Sequence, residues 1–306
     1  MVDEFYCIDK FLKPLSGAGS HNLLDDTATL GTYALSTDTI IEGVHFVGDE
    51  TPQSLAIKLL GVNLSDLASV GATPSHYTLN ISLPKDIAPN WWADFTNGLS
   101  HIQNKYNITL LGGDTTTGTS QIVLSATVYG HTIDNPPLRC NAKVGDIVCM
   151  VGYAGAGAFG LLCAKGIIKD DILLQHYQMP QPQIGEGQIL APLVNAMADV
   201  SDGIIADCFN IAKASGVGMT LRANDITLHP NIQDHLQAVD NVQQLALTGG
   251  DDYILICTMH KNNFNEAKKS LLLTEIGIVN EGTLCKLIDK DNNIINYKGK
   301  HGYEHT

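Results

Sequence analysis

Arginine is scarce in this sequence, which contains only Arg139 and Arg222. The 18 lysine and arginine residues stand against 32 acidic residues, giving a formal net charge of −14. Proteins that bind nucleic acids neutralise phosphates with clustered basic side chains, and no basic cluster is present here. We therefore expect no nucleic-acid partner. An anionic small molecule would need cations to help it bind to so acidic a protein.

Paired cysteines and membrane-spanning runs are also missing. The seven cysteines are scattered and none forms a C-x-x-C pair, which indicates reduced thiols rather than a disulfide framework or a zinc site. The N-terminus lacks the basic and apolar regions of a signal peptide, so we expect a cytoplasmic protein. One uncharged run, residues 147–164, contains four glycines and predicts a strand, a turn and a helix rather than a membrane span.

Three common catalytic signatures are absent. The sequence contains no G-x-x-x-x-G-K-[ST], no G-x-S-x-G and no H-E-x-x-H. Residues 155–160 match G-x-G-x-x-G after a strand, but the acidic residue of a dinucleotide site does not follow at the required distance. We interpret this segment as a tight turn between a strand and a helix.

The hydrophobic patterns divide the chain into two mixed halves. The pattern predicts strands at Tyr33–Ile41, His76–Leu83, Ile108–Leu111 and Gln121–Tyr129, and helices at Ser54–Val70 and Trp91–Tyr106. Gly71 is predicted to follow the first of these helices, and a further helix is predicted to start at Ser201 or Asp202 and to stop at Gly216. The segment "HTIDNPPLRCNAKVGD" resembles a linker, so we predict one domain at residues 1–137 and a second at residues 138–306. Strands and helices do not alternate strictly, which favours an α+β fold.

Aspartates recur in segments that are rich in glycine, serine and threonine and poor in basic residues. The segments are "LLDDTAT", "STDT", "NLSDLAS", "LLGGDTTTG", "ADVSDG" and "LTGGDDY". Carboxylates and hydroxyls together suit hard cations such as Mg²⁺, and buried carboxylates are rare unless they are paired or bind metal. Purely structural interpretations compete with this one: a surface position for Asp66, a polar turn around Asp114, and a helix N-cap at Ser201 or Asp202.

Taken in order, these motifs resemble one enzyme family. The segments "DDTATL", "STDTIIEGVHF", "NLSDLASVGATP", "LLGGDTTTG", "VSDG" and "LTGGDDY" extend over nearly the whole chain and resemble the thiamine-monophosphate kinase family. That family belongs to an ATP-binding superfamily with aminoimidazole ribonucleotide synthetase and selenophosphate synthetase. The resemblance implies an α/β N-terminal domain that forms a homodimer through its sheet, beside an α+β C-terminal domain. It also implies Mg²⁺-dependent transfer of the ATP γ-phosphoryl group to thiamine monophosphate, giving thiamine diphosphate.

The resemblance also implies roles for individual residues. The implied magnesium ligands are Asp26, Ser36, Thr37, Asp38, Asp66, Asp114, Asp199 and Asp202. Four of them, Asp38, Asp66, Asp114 and Asp202, are implied to take part in catalysis. The implied ATP contacts are Gly113, Asp114, Arg139 and Ser201. The implied contacts of thiamine monophosphate are His45, Asp251 and Tyr303. Tyr297 is an alternative to Tyr303 in this role.

Some positions depart from the family pattern. Asp251 stands where the family usually has glutamate, and "HNLL" stands where glycines usually precede the first aspartate pair. Other interpretations remain open at this point: another ATP-dependent synthetase of the superfamily, a metal-dependent phosphohydrolase, or a non-catalytic nucleotide-binding protein. Cys7 lacks the glycine-rich setting expected of a selenophosphate synthetase.

Overall fold

A computed structural model describes residues 4–297 and residue 302. The helices in this part of the chain are α1 (Glu4–Cys7), α2 (Pro52–Ser69), α3 (Pro89–Tyr106), α4 (Ala156–Ala164), α5 (Asp171–Gln178), α6 (Ile184–Leu190), α7 (Ile204–Ser215), α8 (Val242–Thr248) and α9 (Lys261–Ala267). The strands are β1 (Ala28–Leu30), β2 (Tyr33–Ile41), β3 (Thr73–Leu83), β4 (Thr109–Thr117), β5 (Val123–His131), β6 (Ile147–Val151), β7 (Ala196–Asp199), β8 (Gly218–Arg222), β9 (Leu255–Met259), β10 (Leu273–Asn280), β11 (Cys285–Ile288) and β12 (Ile294–Ile295).

Each half of the chain builds one mixed sheet, in agreement with the predicted α+β class. The first sheet has the order β1-β2-β5-β3-β4, and only β3 and β4 in it are parallel, joined through α3. The second sheet has the order β12-β11-β8-β10-β6-β9-β7, with one parallel pair, β8 and β11. The predicted boundary near residue 137 stays a prediction; residue 137 falls between β5 and β6.

Helix α2 lies between the two halves. It contacts α3, β2 and β5 of the first half and α5, α6 and β7 of the second. Fifteen of its residues are buried, which explains why its sequence is apolar almost all round instead of along one stripe. Thr51 caps its N-terminus by accepting a hydrogen bond from the Ser54 amide, and Gly71 follows its C-terminus with a left-handed φ of +66°, as predicted.

Strand β4 is longer than the sequence predicts. The segment "GGDTTT" was expected to leave the strand as a ligand-binding loop or a polar turn, but it continues the parallel pairing with β3 up to Thr117. Gly113 adopts a φ of +153°, and a Cβ there would lie 1.7 Å from the Leu79 carbonyl oxygen. Only glycine allows this close backbone approach. The pairing depends on residues some 30 positions away, which local propensity does not register.

Two further boundaries test the sequence interpretation. The predicted tight turn between a strand and a helix is present but earlier in the chain: it occupies residues 152–155, because β6 ends at Val151 and α4 begins at Ala156, and residues 156–160 are helical. Helix α7 ends before Gly216 as predicted but begins at Ile204 rather than at Ser201 or Asp202. The reason is that the amides of Asp202 and Gly203 donate to the Asp207 carboxylate, which holds residues 201–203 outside the helix. Among the described residues, no helix has both the length and the apolar character needed to cross a membrane.

Candidate active site

A cavity of about 890 Å³ lies where the two halves meet. Strand β2 and helix α2 form one side of it, and α4, the segment after β7 and the segment before β9 form the other. Several predicted site residues line it: Asp38, His45, Asp66, Asp199, Ser201, Asp202 and Asp251. Its size is that of a site for a nucleotide or another small molecule.

Three carboxylates from distant parts of the sequence converge beside this cavity, which Asp66 and Asp199 line. Asp26 precedes β1, Asp66 lies in the last turn of α2, and Asp199 ends β7. One oxygen of each lies within 4.8 Å of the others. Such a group of oxygens at this spacing is suited to a divalent cation. We name these three residues the carboxylate cluster.

The carboxylate cluster is short of counter-charge and hydrogen bonds. Both oxygens of Asp199 and the Oδ2 atom of Asp26 are buried without a hydrogen-bond partner. Burial, followed by repulsion from Asp38 and its other acidic neighbours, raises the pKa of Asp66 well above its usual value. Burial and the nearby Asp26 carboxylate do the same to the pKa of Asp199. Buried oxygens that lack partners indicate a group that a bound cation would complete.

Strand β2 presents alternate side chains to the two faces of its sheet. Ser36 and Asp38 point toward α2, where the Ser36 hydroxyl donates to Asp66 and the Asp38 amide donates to Asn63 Oδ1 at 2.9 Å. Burial and the Asp26 charge raise the pKa of Asp38. Thr37 lies on the other face of the sheet, where its hydroxyl pairs with that of Thr127 at 2.8 Å. The structure therefore brings Ser36 and Asp38 to the carboxylate cluster, and places the Thr37 side chain away from it.

Arg139 is joined to the carboxylate cluster rather than to the cavity wall. Its guanidinium forms an ion pair with Asp26, and its side chain is 16% exposed. Its amide donates to Asp25 Oδ2 at 2.8 Å. Burial and the Asp26 charge raise the pKa of Asp25 to about 7. In this arrangement Arg139 supplies positive charge to the edge of the cluster.

The segment 201–203 brings Ser201 and Asp202 to the cavity, and hydrogen bonds to Asp207 fix its backbone. The Asp207 Oδ2 atom accepts from the amides of Asp202 and Gly203 at 3.0 and 3.2 Å. Burial raises the pKa of Asp207 to about 7, and the Arg139 charge opposes that rise. Sequence reasoning did not single out Asp207, because it lies inside an otherwise ordinary helical pattern.

The wall opposite the carboxylate cluster contains His45, Tyr177, Asp251 and Tyr253. Buried Lys58 forms an ion pair with Asp251 behind this wall, at 3.1 Å. We call His45, Tyr177, Asp251 and Tyr253 the acceptor wall, after the substrate contacts that the resemblance implies for His45 and Asp251. Sequence reasoning missed Lys58 and Tyr177. The available signal was a single lysine between Ile57 and Leu59, inside an apolar helix.

Two of the predicted contacts lie elsewhere. Gly113 and Asp114 are exposed on β4, at the edge of the first sheet, and the Asp114 amide donates to Asn80 Oδ1 at 3.0 Å. Tyr303 lies outside the described residues, although the adjacent Gly302 lines the cavity. Tyr297, the alternative to Tyr303, packs against the core of the second half instead of lining the cavity.

Comparisons with known proteins identify the family. Residues 24–132 match the N-terminal domain of AIR synthase related proteins, and residues 143–290 match the C-terminal domain. The thiamine-monophosphate kinase of Buchnera aphidicola (subsp. Schizaphis graminum) is 36% identical over 99% of this chain and 98% of its own length. The thiamine-monophosphate kinase of Escherichia coli K12 is 35% identical over 92% of this chain and 90% of its own. The chain belongs to the thiamine-monophosphate kinase family.

A solved structure supports the same family assignment. AaThiL complexed with AMPPCP and TMP superimposes with a TM-score of 0.89 at 28% identity, covering 99% of this chain and 97% of that one. The two-domain fold of the thiamine-monophosphate kinase family is thus present from end to end.

Proposed function

We propose that this protein is a thiamine-monophosphate kinase, which transfers the γ-phosphoryl group of ATP to thiamine monophosphate and releases thiamine diphosphate and ADP. The convergence of Asp26, Asp66 and Asp199 beside one cavity is the observation that carries the proposal. Family membership supplies the substrate pair. The cavity volume of about 890 Å³ has room for both phosphate groups that must meet.

The carboxylate cluster fits the magnesium ions that the family implies. Asp26, Asp66 and Asp199 would hold them, with Asp38, Asp202 and the Ser36 hydroxyl beside them. Magnesium held by these residues would supply positive charge that offsets the negative charge of the phosphates during the transfer. Thr37 and Asp114 remain predicted ligands, although the Thr37 hydroxyl points to the opposite face of its sheet.

Electrostatic repulsion is the main obstacle to this reaction. The acceptor is a phosphate monoester whose second pKa lies near ~6, so at neutral pH it is already a dianion and needs no general base. Two like unit charges 4 Å apart repel by about 4 kcal/mol at an effective dielectric of 20. A buried cluster of aspartates would add to this repulsion unless cations intervene. The task of these side chains is therefore to hold cations and to align the two phosphates in line.

The two substrates are assigned to the residues that the family resemblance implies, of which Ser201, His45 and Asp251 line the cavity. Ser201 and Arg139, with Gly113 and Asp114 at the sheet edge, are the proposed ATP contacts. His45 and Asp251 of the acceptor wall, with Tyr303, are the proposed contacts of thiamine monophosphate. Asp251 and Tyr253 provide a carboxylate and an aromatic ring, which suit the cationic thiazolium ring of this acceptor.

We also propose a homodimer. One face of the first sheet is covered by α2, whereas the other carries two hydroxyl pairs, Thr37 with Thr127 and Thr39 with Ser125. A second copy packed on this open face would bury it symmetrically. Light scattering should give a mass near twice the chain mass of 32.9 kDa. A monomer mass at assay concentration would contradict the dimer.

The decisive test of activity is a product assay. Purified protein incubated with ATP, Mg²⁺ and thiamine monophosphate should form thiamine diphosphate and ADP in equal amounts. Phosphate release without ATP would favour the phosphohydrolase interpretation. ATP binding with no turnover of this acceptor would contradict the kinase proposal.

A further inference from the structure

Lys58 is a buried lysine in a helix that otherwise packs as core. It lies in the middle of α2 and is 1% exposed. Its Nζ atom donates to Asp251 Oδ2 at 3.1 Å and to the Tyr177 carbonyl oxygen at 3.0 Å. The same atom lies 3.6 Å from the centroid of the Tyr177 ring. A buried ammonium is retained only where such partners compensate for lost hydration.

Both partners of Lys58 belong to the acceptor wall. Asp251 Oδ1 accepts from the Tyr253 hydroxyl at 2.9 Å, so the two oxygens of this carboxylate are fixed by different groups. The Tyr177 hydroxyl donates to the carbonyl oxygen of His45 at 3.2 Å. One ammonium in the first half of the chain thus connects side chains from two separate segments of the second half.

The backbone around Asp251 is strained. Asp251 and Tyr253 have left-handed φ values of +65° and +51°. Left-handed conformations are uncommon for residues other than glycine, and they persist only where surrounding contacts determine them. The contacts here are the Lys58 ion pair and two backbone bonds, from the Asp251 amide to Ser201 and from the Tyr253 amide to Val200, at 2.9 and 2.8 Å.

We propose that Lys58 is a positioning residue for the acceptor: it holds the Asp251 carboxylate and the Tyr177 ring where thiamine monophosphate binds. This inference rests on the proposed function. The Lys58 side chain is 2% exposed, so it acts through its partners and does not touch the substrate. The Asp251 side chain is 31% exposed and lines the cavity, so the part of it that Lys58 does not cover can contact the substrate.

A role limited to stability would have a different signature. Loss of a stabilising core residue lowers the amount of folded enzyme and affects both substrates alike. Loss of a positioning residue raises the KM for the acceptor and leaves the KM for ATP unchanged. Coupling between Lys58 and Asp251 separates the two roles further, because residues that act through one another have non-additive effects.

The test compares Lys58→Met, Asp251→Asn and the double variant with wild type. Hydrogen bonds to charged groups contribute about 1.5–3 kcal/mol, so Lys58→Met should raise the KM for thiamine monophosphate at least about tenfold. The KM for ATP should stay within about twofold. The double variant should lose less than the product of the two single effects, because the part of the Lys58 effect that passes through Asp251 is already absent in Asp251→Asn. Lys85→Met, at an exposed surface site, serves as the matched control and should behave as wild type.

Two results would overturn the inference: an unchanged acceptor KM in Lys58→Met, or single-variant effects that multiply in the double variant. If Lys58→Met does not fold, Lys58→Gln removes the charge but keeps a donor for the Tyr177 carbonyl, and the same acceptor-specific rise is expected. Wild type is measured in parallel, so that absence of product there contradicts the proposed function instead. In that event, calorimetric binding of thiamine monophosphate to the same variants still tests the role of Lys58.

Discussion

The two sides of the cavity solve the problem of buried charge in opposite ways. In the acceptor wall, Lys58 neutralises Asp251, and both oxygens of that carboxylate have donors. In the carboxylate cluster, Asp26, Asp66 and Asp199 face one another, and both oxygens of Asp199 lack partners. Among the described residues, the acceptor wall has partners for its buried charge, whereas the carboxylate cluster lacks partners for some of its oxygens.

This difference indicates which kind of ligand each side of the cavity is suited to bind. A wall whose charges are already paired is preorganised, and it can receive an acceptor without rearranging. A cluster in which three carboxylates share one described ion-pair partner, Arg139, is unfavourable alone and gains most from divalent cations. Variants of the cluster should therefore change catalysis and cation dependence, whereas variants of the acceptor wall should change acceptor binding.

The largest expected effect comes from neutralising a cluster carboxylate. Asp66→Asn should lower kcat by at least about 10³-fold, because each preorganised charge near the transferred group contributes several kcal/mol. The melting temperature without metal should stay the same or rise, since a buried charge with a raised pKa has been removed. Steady-state kinetics and differential scanning calorimetry check both statements.

Asp94→Asn, at an exposed position in α3, is the matched control and should retain wild-type turnover. Turnover at the wild-type rate by Asp66→Asn would remove Asp66 from the site. A collapse of its melting temperature would show a structural role instead.

The next effect is a pH-dependent loss of stability in the metal-free protein. Burial raises the pKa of Asp25 and Asp207 to about 7, above an ordinary value of 3.8. The folded state therefore holds protons that the unfolded state releases, and the free energy of unfolding falls as pH rises from about 4 to above 7. A carboxyl shifted by about three units loses about 4 kcal/mol over this range.

Magnesium should counteract this loss, since bound cations favour the ionised carboxylates. The increase in melting temperature on adding Mg²⁺ to chelator-treated protein should therefore grow between about pH 5 and pH 8. Asp66→Asn should show a smaller increase. An increase that does not depend on pH would mean that the cluster is not the cation site.

The smallest expected effect comes from Tyr177→Phe in the acceptor wall. This change removes one neutral hydrogen bond, to the His45 carbonyl, and keeps the ring beneath Lys58. Such a bond contributes about 1 kcal/mol, so the acceptor KM should rise by roughly fivefold with kcat nearly unchanged. A large fall in kcat would place Tyr177 with the reacting groups and remove the distinction between the two sides.

Sequence reasoning reached the carboxylate cluster but only part of the acceptor wall. The aspartate motifs are local and chemically distinctive, and resemblance to a family joined Asp26 to Asp199 across most of the chain. No periodicity or spacing in this sequence predicts that these carboxylates converge, because their convergence depends on how the two halves pack around α2. The positions of Gly113 and Asp114 at an exposed sheet edge were beyond local reasoning too, because they depend on the pairing of β4 with β3.

Elements with strong local signals were predicted closely. The observed bounds of β2, Tyr33–Ile41, are those predicted, and α2 differs from its prediction by two residues at its start and one at its end. Lys58 was overlooked because a lysine in an apolar helix is usually assumed to reach solvent. Its ion pair with Asp251 joins residues 193 positions apart, a contact that only the folded chain defines.

The most direct measurement is a crystal structure of the protein grown with Mn²⁺ in place of Mg²⁺ and a non-hydrolysable ATP analogue. Anomalous density should appear between Asp26, Asp66 and Asp199, at coordination distances of about 2.2 Å from an oxygen of each. Nucleotide bound in the cavity with no anomalous density among these three carboxylates would contradict the proposed cation site.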